Sequence, residues 1–160
     1  MRELFLCLQL GLLLVTGEKL HAATGVMKEF VFDTLPAHKF VKALNIVNRR
    51  YAKETLTAQI AINSFTRAKQ GSSARTRYED LLSFFQEYAR PTGHDIELFR
   101  KQSKAILATL DGLWNCFGER TSELSNRSDV LSVYLLFEDI GGGRRPAHTQ
   151  GPKSARPRAG

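Results

Sequence analysis

From Gly25 onward the apolar positions recur at intervals of three, four and seven, the spacing that lines up one face of a helix. Residues 26–35 and 37–44 read as two short helices carrying Met27, Phe30, Val31, Phe40, Val41 and Leu44. They are separated at Pro36, which has no N–H to give to a helix interior. NIVNRR (45–50) is a connection, and residues 51–69 form a longer helix with Leu56, Ile60 and Phe65 on one side. QGSSAR is a loop by composition. Thr76 and Glu79 then have the spacing of a capping box, opening a helix that carries Leu81, Leu82, Phe84, Phe85 and Tyr88 and stops at RPTG. Residues 95–117 give the strongest periodicity, through Phe99, Ile106, Leu110, Leu113, Trp114 and Phe117, with Gly118 placed as the C-cap. A last helix covers 128–139; its VLSVYLLF is β-branched enough for a strand, but no partner strand is visible.

The expected fold class is therefore all-α: a bundle of five to six helices over 26–140, preceded by a short apolar N-terminal segment (1–25). GGGRRPAHTQGPKSARPRAG, residues 141–160, has no periodicity and too little apolar surface to offset the entropy of ordering, so it reads as a disordered basic tail. With 160 residues and 42% hydrophobic content, one domain with a sizeable core is within reach.

Charge changes the picture once it is divided along the chain. The net charge is +7, and the tail supplies five basic residues (Arg144, Arg145, Lys153, Arg156, Arg158) with no acidic one. Within the body, residues 37–78 hold nine basic side chains against Glu54 alone, whereas 79–140 hold eleven acidic and six basic. Either the basic middle faces nucleic acid, or the two halves pack together and neutralise each other. Arg49, Arg50 and Lys53 flank Tyr51, and Arg75 and Arg77 flank Tyr78; cations beside an aromatic ring suit phosphate contact with stacking. Arg49, Arg50, Tyr51, Lys53, Arg75 and Arg77 are the candidate DNA contacts, solvated helix ends being the plainer alternative.

Other chemistry is sparse. His21, His38, His94 and His148 lie in separate segments with no metal-ligand spacing, so no metal is expected. Cys7 and Cys116 are far apart and form no CxxC. There is no GxSxG, P-loop or GxGxxG, and the GGG at 141–143 opens a tail rather than a helix. No cofactor is expected, and no catalytic constellation is visible.

LFLCLQLGLLLV (4–15) interrupts the helical rhythm with an almost unbroken apolar run, shorter than the ~20 residues that span a bilayer. It is either the core of a secretory signal or the edge of a folded domain. As a signal it has faults: Gln9 interrupts it, Glu3 offsets Arg2, and Glu18 and Lys19 sit where a cleavage region is uncharged. Cutting after Ala22 or Ala23 would place Leu20 or His21 where a small residue belongs. The sequon Asn126-Arg127-Ser128 has meaning only if the chain is secreted.

LFLCLQLGLLLVTGEKLHA, MKEFVFDTLPAHKF, NRRYAKETLTAQI, RYEDLLSFFQEY and NRSDVLSVYLLF occur in an order that resembles the ParB/sulfiredoxin-like domain of GmrSD-type restriction endonucleases, over about Leu4 to Phe137. In that family an F-x-R-[L/I]-[N/Q]-x-G segment ends the catalytic half and is followed by P-L-N and by a helix opening near E-K-L-x-A. Phe5, Leu8, Gln9 and Gly11 match the first, Leu14 the second, and Glu18, Lys19, Leu20 and Ala22 the third. Cys7 stands in place of the family's Arg, Leu13 of its Pro and Val15 of its Asn, which is what makes the run so apolar. The family's D-G-Q-Q-R catalytic motif lies upstream of the matching segment, and nothing like it occurs in this chain.

The resemblance implies a non-catalytic helical C-terminal part of a restriction-type DNA-processing protein, cytoplasmic and binding DNA weakly. The further partner it implies is the missing N-terminal catalytic half, or a second copy meeting through the apolar N-terminus. The alternative is a small secreted helical protein acting by interaction.

Overall fold

The computed structural model of the chain describes residues 16–141, which are all-α with no strand among them. The apolar run at 4–15 and the basic tail at 142–160 lie outside the described residues. The helices are α1 (Thr16–His21), α2 (Val26–Glu29), α3 (Leu35–Ala37), α4 (Lys39–Ala43), α5 (Ala52–Gln70), α6 (Tyr78–Glu87), α7 (His94–Phe117) and α8 (Arg127–Gly141). A π-helical turn, Phe30–Thr34, joins α2 to α3, and a 3₁₀ segment, Gly118–Glu123, follows α7.

α5 is the axis of the bundle, touching α1, α3, the π turn, α6, α7 and α8. Its apolar residues Leu56, Ala58, Ile60, Ala61, Ile62 and Phe65 are all buried, and so are Thr55, Thr57, Asn63 and Ser64. The sequence pattern assigns α5 one apolar side; the structure covers it nearly all round. That is tolerable only because the buried polar groups have partners. Thr57 Oγ1 donates to the Val31 carbonyl at 2.8 Å, which ties α5 to the π turn. Asn63 Nδ2 donates to Gln59 O at 2.9 Å, while its Oδ1 accepts from Ala74 N at 3.1 Å and fixes the connection to α6.

α7 adds Ile106, Leu110 and Leu113 to the core, α8 adds Val130 and Tyr134, and α6 adds Leu81, Phe84 and Phe85. Gly118 caps α7 as expected, with positive φ and its N–H on Trp114 O.

Two expectations need correction. Pro36 does not separate two helices: it sits at the start of α3, and the chain stays helical through it. Proline denies an N–H to the carbonyl four residues back and crowds it, and the widened π turn immediately upstream accommodates that defect. The real break is at His38, whose extended backbone (ψ 139°) ends α3 and whose Nδ1 accepts from Phe40 N at 3.2 Å to start α4. The capping box at Thr76 is also not formed. α6 starts one residue later, with Arg77 as an N-cap that makes no side-chain cap bond, and Thr76 is turned to other use.

Candidate anion-binding cleft

The start of α5 is built by an unusual turn. Arg50 and Tyr51 both have left-handed backbone, φ 53° and 62°, a conformation uncommon for residues with a Cβ and worth of order 1–3 kcal/mol of strain each. Several contacts hold it. Asn48 Oδ1 accepts from Lys53 N at 2.8 Å, capping the helix from outside the usual position, and Asn48 Nδ2 donates to Glu54 Oε1 at 3.1 Å. Arg50 makes a two-pronged pair with Glu18 of α1, Nε to Oε1 at 2.8 Å and Nη2 to Oε2 at 2.9 Å. Tyr51 stacks on His21, ring centres 4.6 Å apart, and lies against Phe32. Glu18 and His21 are thus the two points at which α1 clamps the turn.

α1 comes this close only because of Gly17. A Cβ there would stand 2.7 Å from Thr55 Oγ1 and 2.8 Å from the Tyr51 carbonyl, both parts of α5's first turn. One turn further along the helix, Leu20 is completely buried.

Beside this turn lies a cleft of about 930 Å³. Its walls are Thr16 and Gly17 of α1, the loop residues Asn45, Ile46, Val47, Arg49 and Arg50, and Ala52, Thr55 and Gln59 of α5. Thr76 and the start of α8, Ser125–Arg127, complete it. Three of these residues are arginines and none is Asp or Glu. The first turns of α5 and α8 both border the cleft, and a helix N-terminus carries partial positive charge. At α8, Asn126 Oδ1 accepts from Ser128 N at 3.0 Å as its cap. Arg50 is neutralised by Glu18, but Arg49 and Arg127 have no ion pair among the described residues. Two uncompensated guanidinium groups lining one concave site attract an anion and repel each other without one.

The six candidate DNA contacts are therefore not one surface. Arg49 and Arg50 line the cleft. Tyr51 is half-buried by its stack on His21. Lys53 turns inward, its Nζ donating to the carbonyls of Val41 and Lys42 at 3.2 and 3.1 Å, where it closes the end of α4. Arg75 lines a separate cavity of about 400 Å³ that also holds Asp80 and Glu87. Arg77 is exposed at the start of α6, and it is Thr76, between the two, that reaches the main cleft. Of the matched family positions, Glu18 holds Arg50 and Lys19 lies 4.9 Å over the Tyr78 ring; Phe5, Gln9 and Gly11 fall outside the described residues.

Arg127 and Asn126 were not legible as site residues, because the Asn-Arg-Ser triplet reads first as a sequon. An Asn directly before an apolar helical run is, however, a helix-start signal, and it is realised here. Elsewhere the two charge halves do neutralise each other: Arg67 pairs with Asp139 at 2.8 Å and Glu138 at 3.4 Å, and Lys69 with Glu87 at 2.6 Å. Glu87 accordingly holds the Lys69 ammonium above its ordinary range.

No three His, Cys, Asp or Glu side chains among the described residues gather to hold a metal ion, and none of the described helices is long and apolar enough to cross a membrane. Comparison of the chain with protein-family models, curated proteins and solved structures found no match.

Proposed function

We propose that this chain is a non-catalytic helical module of a restriction-type DNA-processing protein and that it contacts the DNA backbone through the cleft at the start of α5. The observation that carries the reading is the cleft lining: Arg49, Arg50 and Arg127 together, with no carboxylate among the lining residues. Phosphate oxygens are suited to guanidinium forks and to helix N-termini, and such contacts hold a duplex without reading its sequence. The order of segments that resembles the GmrSD-type proteins adds the DNA-processing context.

The packing of α1 supports the same reading over a secreted one. Cleavage after Ala22 or Ala23 would remove Leu20 from the core, Gly17 from the cleft wall and Glu18 from Arg50. In an intact-mass measurement on the expressed chain, residues 1–22 are expected to be retained; a mature start at Ala23 or Thr24 would sink the proposal.

The binding test is anisotropy of a labelled duplex titrated with the full chain between about 50 and 200 mM salt. Two phosphate contacts at the cleft give a log–log salt slope of about −1.8, before any share from the tail. Arg49→Ala with Arg127→Ala is expected to remove the cleft's share, while Arg156→Ala with Arg158→Ala lowers only the tail's. If the cleft pair leaves affinity and slope unchanged, the site is elsewhere and the reading fails.

A further inference from the structure

We infer that the cleft takes an unpaired nucleotide of a DNA strand, with its phosphate at Arg49 and Arg127 and its base at the side-chain amides of Asn45 and Gln59 in the same cavity. The inference rests on the DNA-backbone reading of the cleft and adds the form of DNA that fills it.

A phosphate contact alone leaves most of the cleft unused. Its volume of about 930 Å³ falls within the roughly 300–1,000 Å³ of sites that take a whole small ligand. The cleft also extends along α5, where Ala52, Thr55 and Gln59 follow at spacings of three and four on one helix face and all line it. From Ala52 to Gln59 is two turns, about 10 Å of helix. Arg49 stands in the loop before α5, so the cation and the Gln59 amide lie toward opposite ends of that wall. A duplex cannot use both. Its base edges lie at the floors of grooves and are read by elements that project into them, whereas these side chains line a concavity.

The groups away from the arginines suit a base. The side-chain amides of Asn45 and Gln59 have no hydrogen-bond partner among the described residues. Each offers a donor beside an acceptor, the pattern with which amide side chains hold base edges. Asn126, in contrast, uses its oxygen to cap α8. Ile46 and Val47 give the lining apolar surface, and Val47 is 72% exposed, one of four large hydrophobic side chains so exposed among the described residues. An unstacked base gains from such a surface in place of its neighbours in the stack. Charge alone points the other way, because a duplex carries its phosphates more densely than a single strand. A preference for the single strand therefore reports the base rather than the phosphate.

The experiment measures binding of the full chain to a labelled single strand, to the same strand annealed to its complement, and to an abasic strand of equal length. All three are read by anisotropy at one salt concentration. The intact single strand is expected to bind about tenfold more tightly than the abasic one, the net gain of two amide hydrogen bonds. It is also expected to bind more tightly than the duplex. Asn45→Ala with Gln59→Ala is expected to remove both preferences and to leave duplex affinity unchanged, with thermal unfolding as the folding control. Duplex binding as tight as the single strand's overturns the inference, and so does an abasic strand bound as tightly as the intact one. Preferences that survive the amide variant overturn it too. If that variant does not fold, the abasic strand, which needs no substitution, decides. Binding that is insensitive to Arg49→Ala with Arg127→Ala defeats the cleft reading itself. Binding that needs those arginines but shows no preference defeats only the unpaired nucleotide.

Discussion

α5 begins among polar groups in a strained turn and ends among aromatic rings in a satisfied one. At its C-terminal end Phe65 meets Tyr88 at 5.0 Å, Phe84 at 5.4 Å and Phe99 at 6.1 Å between ring centres. Gly71 takes the left-handed cap position that suits glycine and returns its N–H to Arg67 O at 2.9 Å. There each cation has a carboxylate: Arg67 has Asp139 and Glu138, and Lys69 has Glu87. At the N-terminal end the left-handed positions fall to Arg50 and Tyr51 rather than glycine, and Arg49 and Arg127 face a cleft with no acidic lining. Both ends belong to one helix in the same basic stretch, so bulk composition cannot explain the difference. What differs is whether a neighbour supplies the compensating charge. The acidic C-terminal half does so at one end of α5 and not at the other.

The largest expected effect lies at the aromatic end. Phe65→Ala should cost roughly 3–5 kcal/mol in denaturant unfolding, because the ring is 1% exposed and lies among three others. A loss below about 1 kcal/mol would show that this end is not the core of the domain.

Gly17→Ala is expected to cost about 1–3 kcal/mol by overpacking against the first turn of α5. A loss below about 0.5 kcal/mol would show that α1 does not pack against that turn.

A smaller effect separates the ends by pH. Burial raises the Tyr134 phenol above its ordinary value, with the Glu138 charge adding to the shift. The folded state then binds this proton more tightly than the unfolded chain. The resulting stability is fully present below about pH 10 and is lost as pH rises through the range where the unfolded phenol ionises first. The slope contributed by this group is at most about 1.4 kcal/mol per pH unit, and Tyr134→Phe should flatten it. A wild-type alkaline unfolding curve that matches the variant's would remove Tyr134 as its source.

Helix α7 was legible to within one residue at its start, because Ile106, Leu110 and Leu113 fall on one face and Gly118 stops the helix. α8 was read as a helix despite its β-branched run, and Val130 and Tyr134 fall one turn apart in the core. The Pro36 defect was misplaced because a π turn is a tertiary accommodation that no local pattern announces. Of the cleft, only Arg49 and Arg50 could be named. Lys53 looks the same as Arg49 in sequence, yet it is spent on the carbonyls ending α4, and that distinction exists only once α4 and α5 are packed. Arg127 lies more than seventy residues away in sequence and joins the site only through the α5–α8 contact.

The central claim is that the uncompensated arginines at the start of α5 bind a polyanion, and the salt dependence of duplex binding by the Arg49→Ala/Arg127→Ala chain tests it most directly. The account predicts unchanged thermal stability within about 0.5 kcal/mol and a log–log salt slope shallower by about 1.8 than that of the parent chain. A slope equal to the parent's, with the same affinity, would contradict it.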